Sequence, residues 1–486
     1  MTDAVLLHDL LDRRAQATPR APALTGGTRT WAYAELRDRS LVYSAWLAQR
    51  GVGRGDRVLV VAPHAAESAA LAFAASRLGA IFAVISDQIR PYLLEHVLAD
   101  SEPRLVVGTS EAAATAEELF DGPVHELDDL PAGSLDGVRP ERGRPVDPVA
   151  FIYTSGSTAK PKAVVSPHRQ VVFATRAIQS RLRYRPDDTV WCCMPLSFDY
   201  GLYQVFLACA AGAHLVLGDA ACAGPPLVRE LEGHGATVLP LVPSLAASLT
   251  RLIGRSGRPP TRLRLVTNTG AALSPAASAR LRELVPGLDV VPMFGLTECK
   301  RVSIAEPNAD LTRPGSVGTP LPGTEAYVVD PEGRRLPSGE TGELVVRGPH
   351  VMAGYWRARE LTQARFRDGL LHTGDQCRLD ADGHLYFAGR TDDIYKQQGF
   401  RVSAVEVEAA AMDIPEVELA AVLPPSGDDG ARLLVTGAIT AAQLAGELTA
   451  RLEEYKVPPH LSVVETFPLS VNGKVDKRRL AEAVPL

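Results

Sequence analysis

The densest chemistry in the sequence lies at Tyr153-Thr154-Ser155-Gly156-Ser157-Thr158-Ala159-Lys160-Pro161-Lys162, directly after an apolar run. Hydroxyls, a glycine and two ammonium groups crowd into one short loop. Backbone N–H groups, side-chain hydroxyls and lysine charge together can wrap the oxygens of an oligophosphate. The order G-x-x-x-x-G-K is absent, so this is not a Walker A loop. Taken alone, such a stretch serves equally well as a solvated turn. The lysines add weight. Only 7 of the 51 basic residues are lysine: Lys160, Lys162, Lys300, Lys396, Lys456, Lys474 and Lys477. A compact ammonium on a flexible stem is not interchangeable with a planar guanidinium. Coding bias accounts for the scarcity of lysine, but not for its gathering beside a few short polar motifs. Those motifs are Phe294-Gly-Leu-Thr297-Glu298, Leu371-His-Thr-Gly-Asp375, Gly389-Arg390-Thr-Asp-Asp392-Ile-Tyr-Lys396, Gly399-Phe-Arg401 and Asn472-Gly-Lys474-Val-Asp476.

The elements that must position these residues read as layered α/β. Short, continuously apolar runs at 57–63, 149–156, 214–218, 237–243, 263–270 and 290–295 suit strands buried on both faces of a parallel sheet. Helix-like stretches at 65–79, 170–182, 199–211, 244–254 and 275–285 separate them. From about 324 the texture changes to short strands (325–330, 342–348) with PEG and PSGETG turns, a small antiparallel section. A third texture follows residue 393: a helix at 404–412, a strand at 418–423, a helix at 440–454 and a basic tail. The expected organisation is a large N-terminal α/β core over 1–388, a hinge at 389–393, and a small mobile α+β C-terminal domain over 394–486. Residues 120–148 read as a polar loop.

The ordered set of motifs resembles the adenylate-forming superfamily: acyl- and aryl-CoA synthetases, nonribosomal-peptide adenylation domains and luciferases. The resemblance runs from about residue 10 to the C-terminus, and five motifs in order at family-like separations are specific. It implies ATP and Mg²⁺ as cofactors. By resemblance, Thr154, Ser155, Gly156, Ser157, Thr158 and Lys162 hold the β- and γ-phosphates. Phe294 lies against adenine, with Ala271 and Ala272 lining that pocket. Thr297 and Glu298 sit by the α-phosphate, Glu298 as a Mg²⁺ ligand, since that ion favours carboxylate with phosphate oxygens. Asp375 accepts the ribose hydroxyls, Arg390 reaches ribose or phosphate, and Lys474 binds both the substrate carboxylate and the α-phosphate. The C-terminal domain turns about Asp392, after which Gly399 and Arg401 face an incoming thiol. Relatives usually carry glycine where this chain has Ala159 and Ala163.

The activated acid is less legible. Phe198-Asp199-Tyr200-Gly201 resembles the F-D-x-S of peptide-synthetase domains, whose aspartate pairs with a substrate α-amino group. A buried carboxylate needs a partner. An ammonium would supply it, or Arg301 would supply it internally while also being able to read a second anionic group. With Tyr200, Tyr203, Thr267, Thr269, Met293 and Val302, the expected lining is short, polar and aromatic, unlike an apolar tunnel for a fatty acid. The expectation is a small polar carboxylic acid, an amino acid or an amino- or hydroxy-substituted aryl acid. Lys300 receives no role. No carrier segment follows Asp476, so the thiol is expected in trans, on a carrier protein's phosphopantetheine arm or on CoA. The rival readings are an acid–CoA ligase, adenylation of a non-carbon acid such as nitrite, and a non-catalytic nucleotide-binding homologue.

Composition excludes much else. The net charge of −6 argues against a nucleic-acid binder. The six cysteines form no C-x-x-C pair and the histidines no H-E-x-x-H pattern, so a zinc site is not expected. The N-terminus lacks a signal-type core, and the most apolar stretch, 69–85, is broken by Ser76 and Arg77. No membrane association and a cytoplasmic location are expected.

Overall fold

A computed structural model describes residues 5–133, 143–154, 160–390, 394–397, 400–425, 430–452, 454–470 and 474–483. Two sheets form the larger part. In the first, strands Pro148–Thr154, Ile81–Val84, Arg57–Val61, Leu105–Gly108 and Val124–Glu126 lie side by side and run parallel. Lys162–Pro167 and then Gly354–Tyr355 extend it antiparallel from the Pro148–Thr154 edge. In the second, Asp289–Phe294, Leu265–Asn268, Val238–Leu241, Thr189–Cys192, His214–Leu217 and Pro22–Gly26 are parallel neighbours. The apolar runs are strands because both faces of these sheets are covered. Leu105–Gly108 and Val238–Leu241 are buried at every position.

The helix Ala66–Leu78 is buried along nearly its whole length and ends on Gly79 in the left-handed region (φ 66°). The apolar stretch noticed in the sequence is thus a core helix followed by a core strand. Among the described residues no helix is long and apolar enough to cross a membrane.

An antiparallel section joins Glu325–Val329, Thr341–Arg347, Leu370–Leu379 and Leu385–Arg390. Beyond it the chain forms a hairpin (Ile394–Gln397 with Phe400–Ser403), helix Ala404–Met412, and a sheet of Val417–Leu423, Arg432–Gly437 and His460–Val463. This part has its own core, including Val402, Val407, Leu433, Val435 and Leu444. It rests on the larger part, with Arg251 Nη2 2.5 Å from Glu418 Oε2. The fold class is the expected one, a large α/β body with a small α+β unit.

Two local expectations change. The helix expected at 440–454 stops at Thr449. The chain must turn to reach the strand after Pro458-Pro459, and Gln397 Nε2 anchors that turn by donating to Tyr455 O (2.7 Å) and Val457 O (2.9 Å). The polar stretch after residue 120 holds a strand, Val124–Glu126, too short to show a period.

Candidate active site

Strand Pro148–Thr154 returns as Lys162–Pro167 with Thr154 opposite Lys162, so both stand at the base of the serine/threonine loop. Ser155, Gly156, Ser157 and Thr158 lie outside the described residues. The base is braced: the Tyr153 hydroxyl donates to Asp100 (2.8 Å) and Trp356 Nε1 donates to Asp100 O (3.0 Å). Burial lowers the Lys162 pKa, helped by Arg365 and opposed by Glu298.

Asp289–Phe294 ends in a tight turn. Gly295 is required there, because a Cβ would lie 2.3 Å from Lys300 O. Cys299 N–H donates to Leu296 O, and Val302 N–H returns to Phe294 O. Thr297 and Glu298 are half-buried on this turn. Glu298 Oε1 accepts the Tyr355 hydroxyl at 2.5 Å, and its backbone carbonyl accepts Met352 N–H at 2.7 Å. Phe294 packs on Phe387, ring centroids 5.3 Å apart. Asp375 is buried and faces Arg390 across the ladder, 3.6 Å from Arg390 Nε. Ala271 and Ala272 are exposed beside Gly270.

On the acid side, the helix Asp199–Ala211 opens at Asp199, which is buried. Arg301 Nη1 lies 3.7 Å from Asp199 Oδ2 and donates to Lys300 O at 2.6 Å. Its guanidinium sits 4.9 Å from the Tyr200 ring. Arg301 Nε and the Tyr203 hydroxyl are buried without a hydrogen-bond partner among the described residues. Lys300 is 2% exposed and adopts φ +64°, a left-handed conformation costly for lysine. Its ammonium donates to Thr297 O at 2.7 Å. Burial pulls its pKa down to about 8, while Asp199 and Glu298 hold it up. Nearby lies His350, buried and stacked on Phe173, whose pKa burial and Lys300 lower to about 4.

Lys474 enters from the C-terminal tail. Its Cε would be 2.9 Å from a Cβ at Gly270, and Nζ sits 5.7 Å from the Phe198 ring. The side chain is accessible, yet surrounding protein lowers its pKa. Asp199 opposes that shift, and Arg301 and Arg390 add to it. Tyr200 departs from the expected lining. Its hydroxyl is 2.7 Å from both Thr267 O and Thr267 Oγ1, so only its ring is left for a ligand. Thr269 and Met293 are buried at the adjoining strand ends.

Residues far apart in sequence therefore meet through their fields: Lys162 with Glu298, and Lys474 with Asp199, Arg301 and Arg390. Residues 11–356 match the family model described as "AMP-binding enzyme". The chain belongs to the AMP-binding enzyme family. It is an AMP-forming ligase. Among curated relatives, the 3-hydroxybenzoate–CoA ligase of Aromatoleum sp. (strain CIB) is 29% identical over 96% of this chain and 94% of its own length. "Probable non-canonical nonribosomal peptide synthetase (NRPS) CymA" of Salinispora arenicola (strain CNS-205) is 32% identical over 97% of this chain, which spans 6% of that protein. Among solved structures, VinN in complex with L-aspartate is 42% identical, with a TM-score of 0.73 over 79% of this chain and 98% of that one.

Asp392 and Gly399 lie outside the described residues, and Arg401 is described only by its backbone, opposite Lys396 in the hairpin. Sequence reasoning missed Tyr355 and the depth of Lys300. The first sits in the short string Gly354-Tyr355-Trp356, whose signal is an aromatic pair after glycine. The second was marked only by the rarity of lysine.

Proposed function

We propose that this AMP-binding enzyme activates an amino dicarboxylic acid of the aspartate class and passes it to the phosphopantetheine thiol of a separate carrier protein. One observation carries the substrate reading: Lys300, Arg301 and Lys474 all act on one buried carboxylate, Asp199. The other acid that Lys300 feels, Glu298, is engaged by Tyr355. Buried charge needs partners. A substrate with two carboxylates and one ammonium supplies them. Its ammonium pairs with Asp199, one carboxylate with Lys300 and Arg301, and the reacting carboxylate with Lys474. The likeness to VinN, solved with L-aspartate, supports this assignment.

The reacting carboxylate oxygen attacks the α-phosphorus of ATP, the bond to the pyrophosphate oxygen breaks, and pyrophosphate leaves. Lys474 offsets the repulsion between the two anions and aligns them. Lys162, with Thr154 and the loop Ser155–Thr158, takes the β- and γ-phosphates. Phe294 and Ala271 take the adenine, Asp375 the ribose hydroxyls, and Arg390 the ribose or phosphate. Glu298 suits Mg²⁺: it is a half-buried carboxylate, and its second oxygen has no hydrogen bond among the described residues. The ion would neutralise phosphate charge. In the second half-reaction the thiol loses its proton, sulfur attacks the acyl carbon, and AMP leaves. Asp392 serves as the pivot, with Gly399 and Arg401 on the thiol side. Domains 1–388 and 394–486 divide at that hinge.

CoA as acceptor is the second reading, favoured by the CoA ligase relative matched along 94% of its length. ATP–pyrophosphate exchange over aspartate, β-amino dicarboxylic acids, asparagine and substituted benzoates tests the substrate. The diacids should lead their amides by about a hundredfold, because an amide leaves buried cations unpaired. A faster benzoate overturns the assignment. Mass spectrometry of CoA and holo-carrier mixtures decides the acceptor.

A further inference from the structure

Tyr355 stands where the phosphate lysine and the proposed magnesium carboxylate come together. It is 7% exposed, on the two-residue strand Gly354–Tyr355, paired antiparallel with Lys162–Pro167 so that Tyr355 faces Val164. Its hydroxyl donates to Glu298 Oε1 at 2.5 Å, and Lys162 Nζ sits 5.7 Å from its ring centroid. The backbone beneath is fixed: Tyr355 N–H donates to Thr362 Oγ1 (3.0 Å), whose hydroxyl donates to Ala358 O (2.9 Å). Met352 N–H, three residues earlier, donates to the Glu298 carbonyl. One short segment thus grips Glu298 at both its backbone and its carboxylate.

A phenol is a fitting group for this place. As a neutral donor it holds one oxygen of Glu298 and leaves the negative charge for a cation. An ammonium or guanidinium there would compete with that cation. Its face attracts the Lys162 ammonium without adding charge.

We propose that Tyr355 is a positioning residue for the nucleotide half-reaction, fixing the Glu298 carboxylate toward Mg²⁺ while its ring seats Lys162. This rests on the reading of Glu298 as the magnesium ligand and Lys162 as a phosphate contact. Partners of a metal ligand commonly carry tenfold to hundredfold effects on metal affinity.

Tyr355→Phe keeps the ring and removes the hydroxyl. Calorimetric binding of αβ-methylene-ATP to the full chain is titrated against Mg²⁺ and repeated in EDTA. The expected result is a fall of about tenfold or more in apparent Mg²⁺ affinity, with metal-free nucleotide affinity within about twofold of wild type. Tyr355→Leu also removes the ring, and metal-free affinity should then fall as well. Unchanged Mg²⁺ dependence in Tyr355→Phe overturns the proposal. So does an equal loss with and without metal, which marks a merely structural role. Glu298→Gln separates the layers: if it leaves Mg²⁺ dependence unaltered, the magnesium-ligand reading fails and takes this proposal with it.

Discussion

Replacing Asp199 with asparagine tests the substrate pocket most directly. The carboxylate is buried 3.7 Å from Arg301 Nη1, and its field also holds up the pKa values of Lys300 and Lys474. At that distance and an effective dielectric near 20, one charge pair is worth about 4–5 kcal/mol before solvent and relaxation are counted. Relaxation leaves about 3 kcal/mol for a desolvated pair, roughly a hundredfold in kcat/KM. If Asp199 receives the substrate ammonium, that loss falls on the amino acid alone. The desamino diacid, which brings no ammonium to Asp199, should gain or hold steady. The assay is ATP–pyrophosphate exchange with both compounds on both proteins. Wild type should prefer the amino diacid by about a hundredfold, and Asp199→Asn should bring the two within about threefold. An equal loss for both compounds would refute the reasoning, since Asp199 would then serve only as the counter-ion of Arg301. Unchanged kinetics would refute it equally.

Lys474→Ala should lower ATP–pyrophosphate exchange by at least about a hundredfold, the scale of one preorganised transition-state contact, while preformed acyl-adenylate still reacts with the thiol acceptor. Normal exchange would remove Lys474 from the first step. Lys300 has its pKa drawn down to about 8, so it is cationic below that pH and neutral above it. The kcat/KM for a diacid should therefore fall as pH rises through about 8, and Lys300→Met should flatten that limb. A profile unaltered by the substitution would exclude Lys300 from substrate binding. His168 is fully buried, accepts Leu7 N–H on Nδ1 at 3.1 Å, and has its pKa lowered from 6.5 to about 4 by burial. Its folded pKa is depressed, so the unfolded chain takes up the proton first. The contribution is complete above 6.5 and lost as pH falls toward 4, on the order of 3 kcal/mol. Thermal unfolding followed from pH 7 to 5 should show a steep fall in Tm, and His168→Gln, which keeps an acceptor for Leu7, should make the fall shallower.

Much of the fold and part of the site were legible in the sequence because short-range physics writes them there. Short, continuously apolar runs bounded by turn residues suit strands covered on both faces, and 57–61, 238–241 and 265–268 are such strands. The Ser/Thr/Lys loop proposed to hold phosphate, and Glu298, Asp375 and Lys474 in their proposed roles, stand in compact motifs whose chemistry is carried by neighbours in the chain. The sequence also left Asp199 with two candidate partners and Lys300 with none. Tertiary structure put Arg301 beside Asp199, sank Lys300 in a left-handed turn against Gly295, and drew Lys474 from the tail to Gly270. It also turned the Tyr200 hydroxyl away to Thr267 and brought Tyr355 onto Glu298 across 57 positions. Local patterning says which residues are buried or turned. It does not say which buried charges share a pocket, because that depends on contacts between strands and turns far apart in the chain, where desolvation and pairing are settled together.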